Sequence, residues 1–319
     1  MNAESRGTGT SDRLKLTVGL PVYNGENYLA DALKAILTQS FTDFQLVVSD
    51  NASTDATESI IREMTKDDPR VVYLRQPVNL GAAPNYNITF ETSEPSDYFV
   101  WISHDDVPHE RYFEACVKAL DADPAAVVAF STTRRIGTEG EEILILPPRT
   151  RLTSPVVSDR FAEAIRQDTS PHPFFGVMRK TVLARTHLHG SYLGSDRALL
   201  AEMAVQGRYI EIPETLFDIR WHHQKSTAQP FTRDTKTKRY TRDVWFDSSN
   251  EGKIRLPRWI RFGAYSRAVT TAPVSASEKV QSFGELARWL GVWGNSKALI
   301  YEIMIAGRTL VGRVLSRRR

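Results

Sequence analysis

The chain holds one cysteine, Cys116, among 319 residues, which excludes an internal disulfide and a thiolate metal cluster. No run of eighteen apolar residues occurs, so no segment is expected to span a bilayer as a helix. The first residues, MNAESRGTGTSDR, lack the apolar stretch of a secretory signal. Two phosphate-binding signatures are also missing. The turn after the first apolar run reads PVYNGENYL, with one glycine where a dinucleotide fold needs G-x-G-x-x-G, and no G-x-x-x-x-G-K-[ST] loop is present. These absences predict a cytoplasmic protein, at most peripheral on the inner face of the cell membrane. They also exclude a nicotinamide- or flavin-dependent oxidoreductase and a P-loop phosphotransferase.

What is present is ordinary globular composition, 41% hydrophobic and 25% charged, with an uneven charge distribution. Residues 220–319 carry 20 Lys and Arg against 7 Asp and Glu, although the whole chain is only +3. An acidic front and a basic rear suggest two tasks.

Along the front, apolar runs at Leu16–Val22, Phe44–Val48, Val71–Leu74 and Tyr98–Ile102 alternate with helical periodicity at 28–40, 56–64 and 83–91. Asp55, three residues before Glu58, is expected to cap the second helix. This alternation predicts a doubly wound α/β domain with a mostly parallel sheet. Such sheets bind ligands beyond the carboxyl ends of their strands. Just past those ends stand Pro21-Val22-Tyr23-Asn24, Ser49-Asp50-Asn51 and His104-Asp105-Asp106. Adjacent carboxylates at a strand end repel one another, and a bound Mg²⁺ or Mn²⁺ bridging diphosphate oxygens would relieve that repulsion.

The run VGLPVYNGENYLADALKAILTQSFTDFQLVVSDNASTDAT resembles the opening of the family 2 inverting glycosyltransferases of GT-A fold. Asn79-Leu80-Gly81 with Asn85 and Asn87 is similar to that family's N-x-G segment, and Ser103-His104-Asp105-Asp106 stands where its D-x-D motif falls. Gly194-Ser195-Asp196 resembles its x-E-D motif, and Arg220-Trp221-His222 its R-x-H segment. The resemblance runs from Leu16 to Thr227, with five motifs in order. It implies that Pro21 and Tyr23 wall a nucleotide base, that Asp50 reads the base, and that Asp105 contacts the ribose or a metal. It further implies that Asp106 chiefly holds the metal, that His222 lies near the diphosphate and the metal, and that Asp196 is the catalytic base. Ser195 replaces a commoner Glu, and Ser103 a commoner acid. Ser195, Trp221 and Phe175 are expected along the acceptor and donor cleft, with Phe174 and Tyr192 as further candidates. Asp196, which precedes the helix-forming run Arg197–Met203, also suits an N-cap.

The expected activity is therefore a metal-dependent, inverting transfer of a hexose from a UDP-, dTDP- or GDP-linked donor. The expected acceptor is a hydroxyl of a glycan or lipid-linked molecule, in cell-envelope or polysaccharide biosynthesis. A nucleotidyltransferase and a non-catalytic nucleotide- or glycan-binding protein of the same fold are the alternatives.

Behind residue 227 the pattern changes. Residues 1–13 read as a lead-in, 14–227 as the nucleotide-sugar domain, 228–295 as a basic helical extension and 296–319 as an amphipathic cationic helix. Interleaved Arg and aromatics from Phe231 to Arg267 suit stacking on single-stranded nucleic acid or a membrane interface; the overall reading assigns no nucleic-acid partner. On a helical wheel begun at Lys297, Leu299, Ile300, Ile303, Met304, Leu310, Val311 and Val314 fall between about 200° and 340°. Arg317-Arg318-Arg319 follow. That stripe is expected to meet an anionic membrane surface, its own domain or another subunit.

Overall fold

The computed structural model describes residues 13–166, 170–222 and 241–316. The lead-in before residue 13, the supposed domain boundary at 227/228 and the terminal arginines lie outside them. Strand β1 (Leu14–Val22) is buried over its last seven residues, as a central parallel strand covered on both faces must be. Helix α1 (Leu29–Leu37) buries Leu29, Ala32, Leu33 and Ile36, the i, i+3, i+4, i+7 stripe of an amphipathic helix. Then follow β2 (Phe44–Asp50), α2 (Thr57–Thr65), β3 (Val71–Arg75), α3 (Ala82–Glu91) and β4 (Ser96–Trp101). The expected capping box at α2 does not form. Asp55 instead accepts from the backbone N–H and hydroxyl of Thr57 at 3.0 and 2.6 Å, because the helix begins one residue later than the spacing implied.

The second half adds β5 (Val107–Pro108), α4 (Tyr112–Ala122), β6 (Ala126–Ile136), β7 (Glu142–Ile145), α5 (Val157–Ile165), β8 (Val177–Arg179), α6 (Lys180–Leu183), α7 (Ser195–Ala204) and β9 (Arg208–Arg220). One sheet runs β3-β2-β1-β4-β8-β6-β9-β5, with β7 on β6. The first four strands pair in parallel. β8 pairs antiparallel with both neighbours, and β6 and β9 pair in parallel. The direction of winding reverses on either side of β1, which opens a crevice at the carboxyl edge of β1, β2 and β4.

Period-two alternation in β4 divides the core. Tyr98 and Val100 face a cluster with α1 and α4, while Phe99 and Trp101 face one with α5, α7 and the later helices. Gly19 of β1 is required by packing: a Cβ there would lie 2.4 Å from Thr89 Oγ1 of α3. Behind the sheet come α8 (Thr241–Phe246), α9 (Pro257–Thr271), α10 (Ala276–Gly291) and α11 (Trp293–Ser316). α9 packs on α7 and α10 on α5, so this helical extension shares the second core. α11 is docked by the buried Leu299 and by Glu302, whose carboxylate accepts from the first N–H groups of α9 at 3.0 to 3.2 Å. That contact satisfies helix-start donors with a negative charge.

Candidate functional site

A cleft of about 770 Å³ opens at the carboxyl edge of β1, β2 and β4. Pro21, Val22, Tyr23 and Asn24 line one side, and Ser103, His104, Asp105 and His222 another. Tyr23 is 41% exposed, so its ring is open to a ligand.

Asp105 and His222 meet through side chains from distant segments: Asp105 Oδ2 lies 2.9 Å from His222 Nε2. The other Asp105 oxygen accepts from Ser103 Oγ. The serine found in place of the commoner acid therefore orients the neighbouring carboxylate. Asp106 turns the opposite way. It is wholly buried, accepts from the Arg220 backbone N–H at 3.0 Å, and does not line the cleft. The residue facing the cleft is thus Asp105, whereas the motif placed the metal chiefly on Asp106. His104 and Asp105 form a turn here, closed by the Asp106 N–H on the Ser103 carbonyl at 3.2 Å, and the two carboxylates leave it towards different partners.

Arg220 ties these pieces together. Its guanidinium donates to the Asp105 and Thr138 carbonyls and to Asp31 Oδ2, at 3.3, 2.9 and 3.0 Å, and lies over the Tyr28 ring. The Tyr28 ring in turn packs 4.7 Å from His222. Buried arginine needs such partners, since unpaired it would be costly.

Asp50 stands under the cleft floor. Its carboxylate accepts from Ser53 N–H, the Tyr73 hydroxyl and Arg75, and it does not line the cavity. Its neighbour Asn51 does, clamped by Asn79 and the Leu80 N–H at 2.9 Å each. The other asparagines of that segment are also structural. Asn85 bonds Ser49 at 2.6 and 2.9 Å, and Asn87 holds both backbone groups of His189 at 3.0 Å.

Asp196 sits in the first turn of α7, after Gly194 as N-cap, and accepts from the Arg197 N–H at 2.8 Å. It is therefore not the cap the sequence suggested; the left-handed backbone that starts the helix falls on glycine. Ser195 is buried with Oγ 2.7 Å from His189 Nδ1, and so supports α7 rather than the cleft. Tyr86 on α3 connects the two acidic regions. It lines the cleft, and burial, reinforced by the negative charges of Asp105, Asp106 and Asp196, pushes its phenol well above the ordinary range.

The expected aromatic lining is largely elsewhere. Phe175 stacks on Phe217 at 5.9 Å and Phe174 on Trp101 at 5.2 Å, both as core. Tyr192 packs against the core, and Trp221 lies outside the cleft beneath the Arg135 guanidinium at 5.2 Å. The aromatics that do line it are Tyr23, Tyr28, Tyr86 and Trp245. Trp245 belongs to the basic aromatic stretch, where no local pattern distinguishes a cleft residue from a surface one.

Known proteins share the fold. TarS 1-349 of S. aureus, in complex with UDP-GlcNAc, superposes with a TM-score of 0.63 at 13% identity, over 93% of this chain and 81% of that one. The mannosyltransferase PcManGT of Pyrobaculum calidifontis, in complex with GDP-Man and Mn²⁺, gives 0.52 at 18% identity, over 94% and 88%. At such identities the likeness speaks to fold, here the GT-A fold. In sequence, glycosyltransferase GlyA of Streptococcus pneumoniae is 35% identical over 107 residues, which are 33% of this chain and 15% of that protein. A GalNAc(5)-diNAcBac-PP-undecaprenol beta-1,3-glucosyltransferase of Campylobacter jejuni is 36% identical over 92 residues, 29% of either chain. The model for glycosyl transferase family 2 matches residues 17–186, more than half of the sequence, and the chain belongs to that family.

Proposed function

We propose that this chain is an inverting glycosyltransferase that moves a hexose from a nucleoside-diphosphate donor to a hydroxyl of a glycan or lipid-linked acceptor. The observation that carries this reading is the Asp105–His222 pair on the wall of the cleft, 2.9 Å apart although 117 positions separate the two residues in sequence. A nucleotide-sugar needs such a polar wall for its diphosphate and a proton acceptor for the incoming hydroxyl. Pro21, Val22 and Tyr23 wall the base, and the diphosphate reaches towards Asp105 and His222. Relatives of the same fold hold UDP-GlcNAc or GDP-Man, which supports a UDP- or GDP-linked donor.

Among the described residues no cluster of three His, Cys, Asp or Glu is placed to hold a metal ion. The Asp105 carboxylate and the His222 imidazole, 2.9 Å apart on the cleft wall, nevertheless fit a cation whose remaining ligands come from diphosphate and water. An N,O donor pair suits Mn²⁺ better than Mg²⁺. When bound, the cation would offset the charge that develops on the leaving diphosphate. Asp196 takes the proton of the acceptor hydroxyl as that oxygen attacks the anomeric carbon from the face opposite the diphosphate. One displacement inverts the centre.

α11 supports a lipid-linked acceptor. With Leu299 and Glu302 docked, Ile300, Ile303, Met304, Leu310 and Val311 remain 50–58% exposed, forming a stripe beside Lys297 and Arg308. An apolar stripe flanked by cations fits the interface of an anionic bilayer. No helix among the described residues is long and apolar enough to cross one.

Replacing Asp196 with Asn tests the enzymatic reading. Turnover of UDP- or GDP-linked hexose should fall by about 10²–10⁴-fold with donor affinity retained. Unchanged turnover would reject Asp196 as the base.

A further inference from the structure

We infer that Trp245 is the stacking platform for the sugar ring of the donor, and that the short helix carrying it is built onto the cleft for that purpose. The inference rests on the reading of the cleft as a nucleotide-sugar site. Trp245 lies well beyond the segment matched by the family, 17–186, and comes from a part of the chain with no local signature of a site.

The indole lines the cleft and is 46% exposed. A large apolar face left open to water inside a cavity lacks a folding reason and offers an amphipathic surface to a ligand. Its backbone is fixed from two sides. On one, the chain after α8 presses on the loop before α3: the Ser248 N–H donates to the Leu80 carbonyl at 3.1 Å, and a Cβ on Gly81 would lie 2.6 Å from Asp247 Cα. Gly81 has φ 93°, so this close approach is available to glycine and strained for other residues. On the other, Phe246 packs 5.7 Å from the His189 ring and 5.1 Å from Trp245 itself.

His189 ties this short helix to α7. It is hydrogen-bonded to Ser195, the residue before Asp196, and its backbone is held by Asn87. Trp245 is thereby linked through Phe246 and His189 to Ser195, at the start of the helix that carries Asp196. The part of a donor lying between its diphosphate and the attacking oxygen is the sugar. An indole face covers the C–H surface of a pyranose and leaves its hydroxyls at the edge for polar neighbours such as Asn79 and Ser248, which also line the cavity.

The test compares Trp245→Ala and Trp245→Phe with wild type by calorimetry, using UDP with UDP-GlcNAc and GDP with GDP-Man. Trp245→Ala should weaken the sugar nucleotide roughly tenfold and leave the matching nucleoside diphosphate within about twofold. Trp245→Phe should recover most of the loss, which a general disturbance of the fold would not do. Equal weakening of both ligands would place the ring on the base, and no weakening would leave it without a ligand; either result overturns the inference while the nucleotide site stands. Failure of wild type to bind any of the four would overturn both this inference and the reading on which it rests.

Discussion

Asp105 Oδ2 and His222 Nε2 stand 2.9 Å apart although 117 positions separate them in sequence. The strand-end loop after β4 and the end of β9 are joined there by two side chains that both face the cleft. If that pair shares a cation with a diphosphate, chelation should weaken nucleoside diphosphate binding by about tenfold or more. His222→Ala should lower affinity in manganese and make it nearly insensitive to chelator. Calorimetry with and without EDTA checks this, and equal affinity in both conditions for wild type would contradict it.

Gly81→Ala should destabilise the protein by roughly 1–3 kcal/mol, because φ is 93° and the added methyl would meet the backbone at Asp247. Denaturant unfolding measures the loss. A neutral substitution would mean that the segment after α8 does not rest on this loop.

His172 supplies a pH dependence. Burial, helped by the nearby positive charge of Arg149, pushes its imidazole from an ordinary 6.5 down to about 3. The unfolded chain therefore binds the extra proton between those values and the folded one does not. The stabilisation is complete above pH 6.5 and is lost as pH falls towards 3, with a slope of at most about 1.4 kcal/mol per pH unit. His172→Asn should flatten that part of the stability profile relative to wild type. Parallel profiles from pH 7 to 4 would show that His172 is protonated in the fold.

The exposed stripe of α11 leads to a separate expectation. Ile303→Asp with Met304→Asp should abolish co-sedimentation with vesicles containing phosphatidylglycerol, while wild type binds them and leaves pure phosphatidylcholine in the supernatant. Because both positions are about half exposed, the thermal midpoint should hardly move. Retained co-sedimentation of the double variant would reject a membrane role for this face.

The alternation of apolar runs and helical stripes made the sheet legible from β1 to β4, since local period and burial agree there. The later strands were harder to read: β8 has three residues and β5 two, too short to show a period. Pro21, Tyr23 and Asp105 line the cleft, where their strand-end positions put them, and so does His222, which only the R-x-H resemblance had singled out. Asp50 and Asp106 did not, because Arg75 claims one and the Arg220 backbone the other; neither partner is adjacent in sequence. Phe175 and Trp221 were aromatic in the right neighbourhood but were turned to the core and to Arg135. Trp245 was hidden for the opposite reason, since only tertiary folding brings it beside Gly81.

Titration of nucleoside diphosphates into the full chain with manganese, for wild type and Asp105→Asn, bears on the whole account. At least one of UDP, GDP and dTDP should bind wild type with one-to-one stoichiometry, and Asp105→Asn should weaken that ligand by about tenfold or more. Absence of binding by all three, or equal binding by the variant, would contradict a nucleotide-sugar site in this cleft.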